Sequence, residues 1–349
     1  MDARSAMEVN KSYFMDFLKQ ILLTDSPSGY TKQVMTLIEN QAVSFGYTFE
    51  YTHKGNGIIT LDGQDHSKTI GLSAHVDTLG AMVRSISGSG TLKFTLIGGP
   101  IVPTLDSEYC KIYTRDGKCY TGTFLSNAPA MHVHKDSSTM TRTPETMEVR
   151  LDEPVKTKGD AVKLGIQAGD YICIDPKTTL INGFVKSRFL DDKASVGCLF
   201  GVLEYMSTHQ IKPYYRTKIV ISTYEEVGHG AANIPDDISE MLAVDMGCIG
   251  EDLSCTEYDV SICAKDSSGP YDYDFTSKLI HLAKENDIKH AVDIYPFYGS
   301  DVSAALRAGN NIKGALIGPG VHASHGMERT HYDALENTMK LVYQYLISK

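Results

Sequence analysis

The stretch Ile70-Gly71-Leu72-Ser73-Ala74-His75-Val76-Asp77 is a short apolar run that ends in a histidine and a carboxylate. A run of this length reads as a buried strand, and its polar end as the rim of a sheet. The pattern returns three times. Lys218–Ser222 leads into Tyr224-Glu225-Glu226-Val227-Gly228, and Met241–Val244 leads into Asp245-Met246-Gly247. Asn311–Ile317 leads through Gly318-Pro319-Gly320 to His322 and His325. In open α/β sheets functional groups gather outside the carboxyl ends of strands, so these four ends are expected to converge on one crevice. Asp191-Asp192, which opens a helical stretch, is expected to face it too.

The flanking segments keep the α/β rhythm. Phe14, Phe17, Leu18, Ile21 and Leu22 share one helical face, and Ser26-Pro27-Ser28-Gly29 stops that helix. Val34, Leu37, Ile38, Ala42 and Phe45 form a second stripe before the strand-like run Gly57–Leu61. Asp191–Tyr205, Tyr271–Glu285 and Asp301–Ala308 read as helices, and His290–Tyr295 as a strand. The last helix opens at Asp333-Ala334-Leu335-Glu336, a capping-box spacing with Asp333 as the expected N-cap. From about Leu79 to Pro176 helical periodicity nearly vanishes. There Arg115-Asp116-Gly117-Lys118 marks a hairpin, Met147, Val149 and Leu151 alternate with polar residues, and only Asp160–Leu164 reads as a helical turn. The expected fold is α/β, a mixed sheet flanked by helices. Its catalytic domain spans 1–78 and 180–349, and a small all-β domain is inserted at 79–179. Free strand edges in that β block are expected to invite pairing with another subunit.

Composition narrows the function. Among 349 residues, Lys+Arg number 33 and Asp+Glu 43, a net charge of −10 with no basic block. Nucleic acid and anionic membrane surfaces are therefore excluded as expected partners. No apolar run approaches the ~18 residues of a membrane span. Met1 to Leu23 carries charges throughout and lacks a small-residue cleavage site, so no signal peptide is expected. The seven cysteines include no CxxC, which excludes a zinc finger and fits reduced thiols in a cytoplasmic protein.

The residue types at the strand ends carry the chemistry. His75, Asp191, one of Glu225 and Glu226, Asp245 and a histidine from the last loop are ligands for Zn²⁺, Co²⁺ or Mn²⁺. Five ligands exceed the needs of one tetrahedral zinc with an open position. They suit two metals ~3.5–4 Å apart that share a carboxylate. The remaining glutamate of the pair is then free to act as general base. Asp77, two residues past His75, is placed to accept the ring N–H that faces away from the metal. His229 reads as a surface-loop histidine.

Taken together, Ser26-Pro27-Ser28-Gly29, Ala74-His75-Val76-Asp77, Asp191-Asp192-Lys193-Ala194, Glu225-Glu226-Val227-Gly228, Asp245-Met246-Gly247, Gly299-Ser300-Asp301 and Ala323-Ser324-His325 resemble a known family in order and spacing. The chain is similar to the co-catalytic metallo-aminopeptidases of the glutamyl aminopeptidase and TET-type deblocking aminopeptidase family. The resemblance implies a zinc-peptidase-like catalytic domain and two divalent metal ions per subunit, zinc or cobalt. It implies that Asp191 bridges them, that His75 and Asp245 complete one site, and that Glu226 and His325 complete the other. Glu225 is implied as general base and Asp77 as the residue orienting His75. The implied reaction is hydrolysis of the N-terminal residue of short peptides, in a homo-oligomer that family members commonly build as a dodecamer. The last loop departs from the family pattern. His325 is preferred over His322 there, because its distance from Gly318-Pro319 is closer to the family's. Lys193 stands where the family usually has arginine.

Two other classes compete with this reading. Paired carboxylates such as Asp191 and Glu225 serve glycoside hydrolases, and some relatives carry cellulase names, but that chemistry has no need of His75, Asp245 and His325. A non-catalytic assembly protein is expected to have lost Glu225 or a ligand, and none is missing.

Overall fold

The centre of the larger sheet consists of four adjacent parallel strands, Tyr215–Ser222, Asp65–His75, Ile238–Val244 and Lys313–Val321. This is a computed structural model, and it describes residues 7–349. Residues 1–6 lie outside the described residues, and with them the start of the 1–78 segment and of the stretch read as lacking a signal peptide. The carboxyl halves of the four strands are buried on both faces, which is why they read as unbroken apolar runs without alternation. Antiparallel Gly57–Leu61 and Thr48–Tyr51 extend one side. Val260–Asp266, antiparallel to Lys313–Val321 and parallel to His290–Ile294, extends the other. The sheet is therefore mixed, with helices packed against it.

Helix Lys11–Leu23 buries Phe14, Phe17, Leu18, Ile21 and Leu22, the face its periodicity predicts. Helix Lys32–Ser44 buries Val34, Met35, Ile38 and Ala42. Helix Leu190–Thr208 differs, because it is buried almost all round between the sheet and the helices Lys11–Leu23 and Tyr332–Ile347. One cap departs from expectation. The N-cap of Tyr332–Ile347 is His331, whose ring Nδ1 accepts from the Asp333 amide at 3.2 Å, so Asp333 sits in the first turn. The histidine reaches the free amide first because it lies two residues upstream, in extended backbone.

Six strands between Gly80 and Ile174 close into a barrel, in the order Gly80–Ile86, Leu92–Ile97, Met147–Leu151, Cys119–Ser126, Tyr109–Tyr113, Tyr171–Ile174 and back to the first. The expected hairpin pairs Tyr113 with Cys119. Closure overturns one expectation: a closed barrel offers no free strand edge to another subunit. Phe94 and Ile112 point into the barrel's own core with Phe124, Val149 and Ile172. An exposed edge lies elsewhere, at Thr179–Ile181 in a three-stranded sheet with Phe184–Ser187 and Glu328–His331. All seven cysteines are free thiols. Among the described residues no helix is long and apolar enough to cross a membrane.

Candidate metal centre

Each of the four central strands delivers at least one polar group at or beyond its carboxyl end. His75 is the last residue of Asp65–His75, and Asp245 directly follows Ile238–Val244. Glu225 and Glu226 form a single 3₁₀ turn after Tyr215–Ser222, closed by Gly228 in the left-handed region at φ +85°. His325 lies four residues past Lys313–Val321. Asp191 and Asp192 enter from the start of helix Leu190–Thr208. Close packing of the strand ends demands glycine at 318, where a Cβ would fall 1.2 Å from the Asp245 carbonyl oxygen.

The side chains meet. His75 Nε2 lies 3.0 Å from Asp191 Oδ1 and 3.7 Å from Glu225 Oε2. His325 Nε2 lies 3.5 Å from Asp191 Oδ2 and 3.8 Å from Glu226 Oε2. Asp191 thus stands between the two imidazoles. One donor atom each from His75, Asp191 and Glu226 fall within 4.8 Å of one another, and so do atoms from His75, Asp192 and Asp245. Asp77 is buried beside them. Its main-chain carbonyl is 3.0 Å from His75 Nδ1, closer than its carboxylate at 3.6 Å. The carboxylate instead accepts from the amides of Glu225 at 3.1 Å and Glu226 at 3.3 Å, and from Ser28 Oγ. Asp77 therefore orients the ring through its backbone and holds the Glu225-Glu226 turn through its side chain.

Electrostatics at the cluster are unbalanced. Burial, reinforced by neighbouring acids, pushes Glu225 and Glu226 well above the usual carboxylate range and Asp245 up to about 7. Burial would also raise Asp191, but hydrogen bonds from His325 and His75 hold it below its ordinary value. The Asp191 hydrogen bond in turn raises His325 to about 10. Five carboxyls, those of Asp191, Asp192, Glu225, Glu226 and Asp245, face two imidazoles. Such a set holds protons only for want of other cations. Glu226 Oε1 and Asp192 Oδ1 are buried without a hydrogen-bond partner. A hard or borderline divalent cation fits this donor set. The cluster opens into a cleft of ≈260 Å³ lined also by Phe297, Tyr298, Gly299 and Arg307. A larger cleft of ≈590 Å³ lies at the opposite strand ends, around Asp62, His66 and Arg216, so size does not locate the chemistry.

Every residue expected in the site is found there: His75, Asp77, Asp191, Glu225, Glu226, Asp245 and His325. His322 is exposed and pairs with Arg329 through its main chain. His229 is exposed and stacks on Tyr224. Three contributors had no role assigned to them, although Asp192 was expected to face the crevice. Asp192 Oδ2 accepts the His75 amide at 3.1 Å. Buried Glu328 accepts the amides of Asp191 at 3.1 Å and His325 at 2.9 Å, and burial beside Asp191 raises it to about 8. The third is the Gly99 carbonyl of the barrel, 2.9 Å from His325 Nδ1. Only Asp192 had a visible signal, as the neighbour of Asp191.

Comparisons with known proteins identify the family and the fold. The profile described as M42 glutamyl aminopeptidase matches residues 55–341. YhfE of Bacillus subtilis (strain 168), provisionally named an aminopeptidase, is 46% identical over 336 residues, covering 96% of this chain and 97% of its own. Two solved structures share the fold. The TET1 peptidase of Pyrococcus horikoshii has a TM-score of 0.84 at 22% identity, with 96% of this chain and 100% of that chain covered. A Thermotoga maritima protein described as an endoglucanase has a TM-score of 0.75 at 19% identity, with 94% and 96% covered. At such identities the last two speak to fold alone, whereas the profile and YhfE speak to descent. The chain belongs to the M42 glutamyl aminopeptidase family, whose members are hydrolases.

Proposed function

We propose that this chain is a dinuclear metallo-aminopeptidase that removes the N-terminal residue of short peptides, with Glu225 as general base. The observation that carries the reading is the convergence of five carboxyls and two imidazoles, with Glu226 Oε1 buried and unpartnered. Asp191 would be shared by both cations, with His75 and Asp245 on one and Glu226 and His325 on the other. Asp192, beside His75 and Asp245, is a further donor for the first position. When bound, two divalent cations, zinc or cobalt, supply Lewis acidity toward the peptide carbonyl and lower the pKa of the attacking water.

The chain's own groups do the rest. His75 donates its Nδ1 proton to the Asp77 carbonyl, which leaves the Nε2 lone pair directed into the cleft. Glu225 takes a proton from water at a carboxylate oxygen and passes it to the departing amine. Asp77 keeps Glu225 in reach by accepting its amide. The family assignment and the need for two histidines weigh against glycoside hydrolysis, and the intact Glu225 weighs against a non-catalytic assembly role.

The fold relatives support a homo-oligomer, up to a dodecamer. TET1 of Pyrococcus horikoshii is described as assembling into a tetrahedron or a large octahedral shell. Apolar side chains exposed here, Leu180 and Ile181 on the free edge and Met131 and Val133 on the loop beyond Cys119–Ser126, are suited to an interface. Seven unpaired thiols support a reducing, cytoplasmic location. The deciding experiment is prolonged chelation followed by metal add-back, with an amino-acid p-nitroanilide panel. Activity should vanish and return with Zn²⁺ or Co²⁺; full activity in a verified metal-free sample would sink the reading.

A further inference from the structure

We infer that Arg188 and barrel residues 98–104 together hold His325 in place, so that one metal position depends on the inserted barrel. The inference rests on the dinuclear reading above and adds the residues that make one of its two positions.

His325 stands in a strained turn that is held from within only through its amides. His325 donates to Glu328 Oε1 at 2.9 Å and Gly326 to the Ala323 carbonyl at 3.1 Å, which leaves the imidazole free to rotate. Its backbone is left-handed at φ +64°, and so is that of Ala323 at φ +59°, an unfavourable geometry for residues with a Cβ. The barrel grips it twice. The Gly99 carbonyl accepts from ring Nδ1 at 2.9 Å, and the Ile101 amide donates to the His325 carbonyl at 3.0 Å. With the Nδ1 proton held by Gly99, the Nε2 lone pair is fixed toward Asp191 and Glu226.

Arg188, 3% exposed, fastens the same two segments. Its Nη1 donates to the Gly326 carbonyl at 3.2 Å and to Thr104 Oγ1 at 3.3 Å, and Nη2 donates to the Thr104 carbonyl at 2.8 Å. A planar guanidinium fixes the angle between these acceptors, which a lysine does not. Glu108 Oε2, 3.6 Å from Nη2, balances the charge, and its other oxygen pairs with Lys177 at 2.6 Å. The approach is tight. At Gly98, φ +68°, a Cβ would lie 2.5 Å from Leu79 Cδ2 and 3.3 Å from the Glu226 carbonyl oxygen. A side chain there would press on Leu79 and the Glu226 backbone and strain the left-handed residue that precedes Gly99.

The test is metal stoichiometry. Metal-stripped protein is titrated with Co²⁺ and bound metal is counted by mass spectrometry after gel filtration. Wild type should bind two equivalents. Arg188→Met should keep one at wild-type affinity and weaken the other by about 10–100-fold, the usual effect of removing a partner that orients a ligand. Gly98→Ala should do the same without touching Arg188, and carries the test if Arg188→Met fails to fold. Lys111→Met breaks the 2.8 Å Lys111–Asp25 contact, which ties the barrel to the sheet domain elsewhere, and should keep both equivalents. Added to His325→Ala, Arg188→Met should cause no further loss. Wild-type binding of both equivalents by Arg188→Met and Gly98→Ala would overturn the inference. Equal weakening of both equivalents, or the same loss in Lys111→Met, would overturn it too, since either marks general loosening. Fewer than two equivalents in wild type would overturn the dinuclear reading itself, and is recognised before any variant is made.

Discussion

At the ends of the central strands His75, Asp77, Asp191 and Asp245 are buried polar groups crowded within a few ångströms. In the barrel the interior positions are Phe94, Ile112, Phe124, Met147, Val149 and Ile172, and its buried acids sit at its ends with partners: Asp170 accepts the Gln167 amide and Glu108 pairs with Lys177. The barrel draws its stability from apolar burial, although Asp170 Oδ1 and Glu108 Oε2 at its ends also lie buried without a hydrogen-bond partner. The strand ends are the opposite. Their like charges repel in a region of low dielectric, which destabilises the fold locally and creates affinity for cations. One region is built to be stable; the other concentrates charge for a purpose, and the stability of the surrounding sheet tolerates it.

The sharpest way to break this contrast is to remove charge one residue at a time. If Glu225 is the general base proposed above, Glu225→Gln should lower kcat by about 10²–10⁴-fold while both metals stay bound. Glu226→Gln should release metal. Steady-state rates paired with metal analysis of each variant separate the two; a metal-free Glu225→Gln beside a metal-replete Glu226→Gln would exchange their roles.

A finer test lies in the last loop. His325→Ala should lose one metal equivalent and most activity. His322→Ala should leave metal content unchanged, since that residue is exposed and contributes only its main chain to the pairing with Arg329. The reverse ranking would move the ligand to His322 and take the barrel's Gly99 contact out of the site.

How much of this was legible in the sequence depended on whether a signal was local. Strand ends followed by acids or histidines announced the site, because the parallel strands that carry them are apolar on both faces up to the last residue. The hairpin at Asp116-Gly117 was equally local. Glu328 was invisible: its partner amide at Asp191 is 137 residues away, and a lone acid after Met327 has no pattern. Strand Val260–Asp266 escaped because Val260, Ser261, Ile262 and Cys263 are all buried, so neither alternation nor a purely apolar run marks it. Barrel closure was hidden for a related reason, since alternation tells which face is covered but not that the last strand returns to the first. The Gly99 carbonyl belongs to the backbone, and no side chain betrays it.

The smallest effect on activity should come from the barrel's core. Ile112 is fully buried among the apolar side chains there, on the strand that pairs with both Cys119–Ser126 and Tyr171–Ile174. Ile112→Ala leaves a cavity and should cost about 2–5 kcal/mol of stability. The link from barrel to metal site runs through the Gly99 carbonyl and Arg188, neither of which rests on Ile112. Melting temperature should therefore fall, while the metal equivalents bound and the kcat of the molecules that remain folded should stay at wild-type values. Thermal melts beside Co²⁺ stoichiometry measure both. Should metal uptake fall in step with stability, the barrel and the sheet would be one cooperative unit, and the division into a self-sufficient region and a charged one would no longer hold.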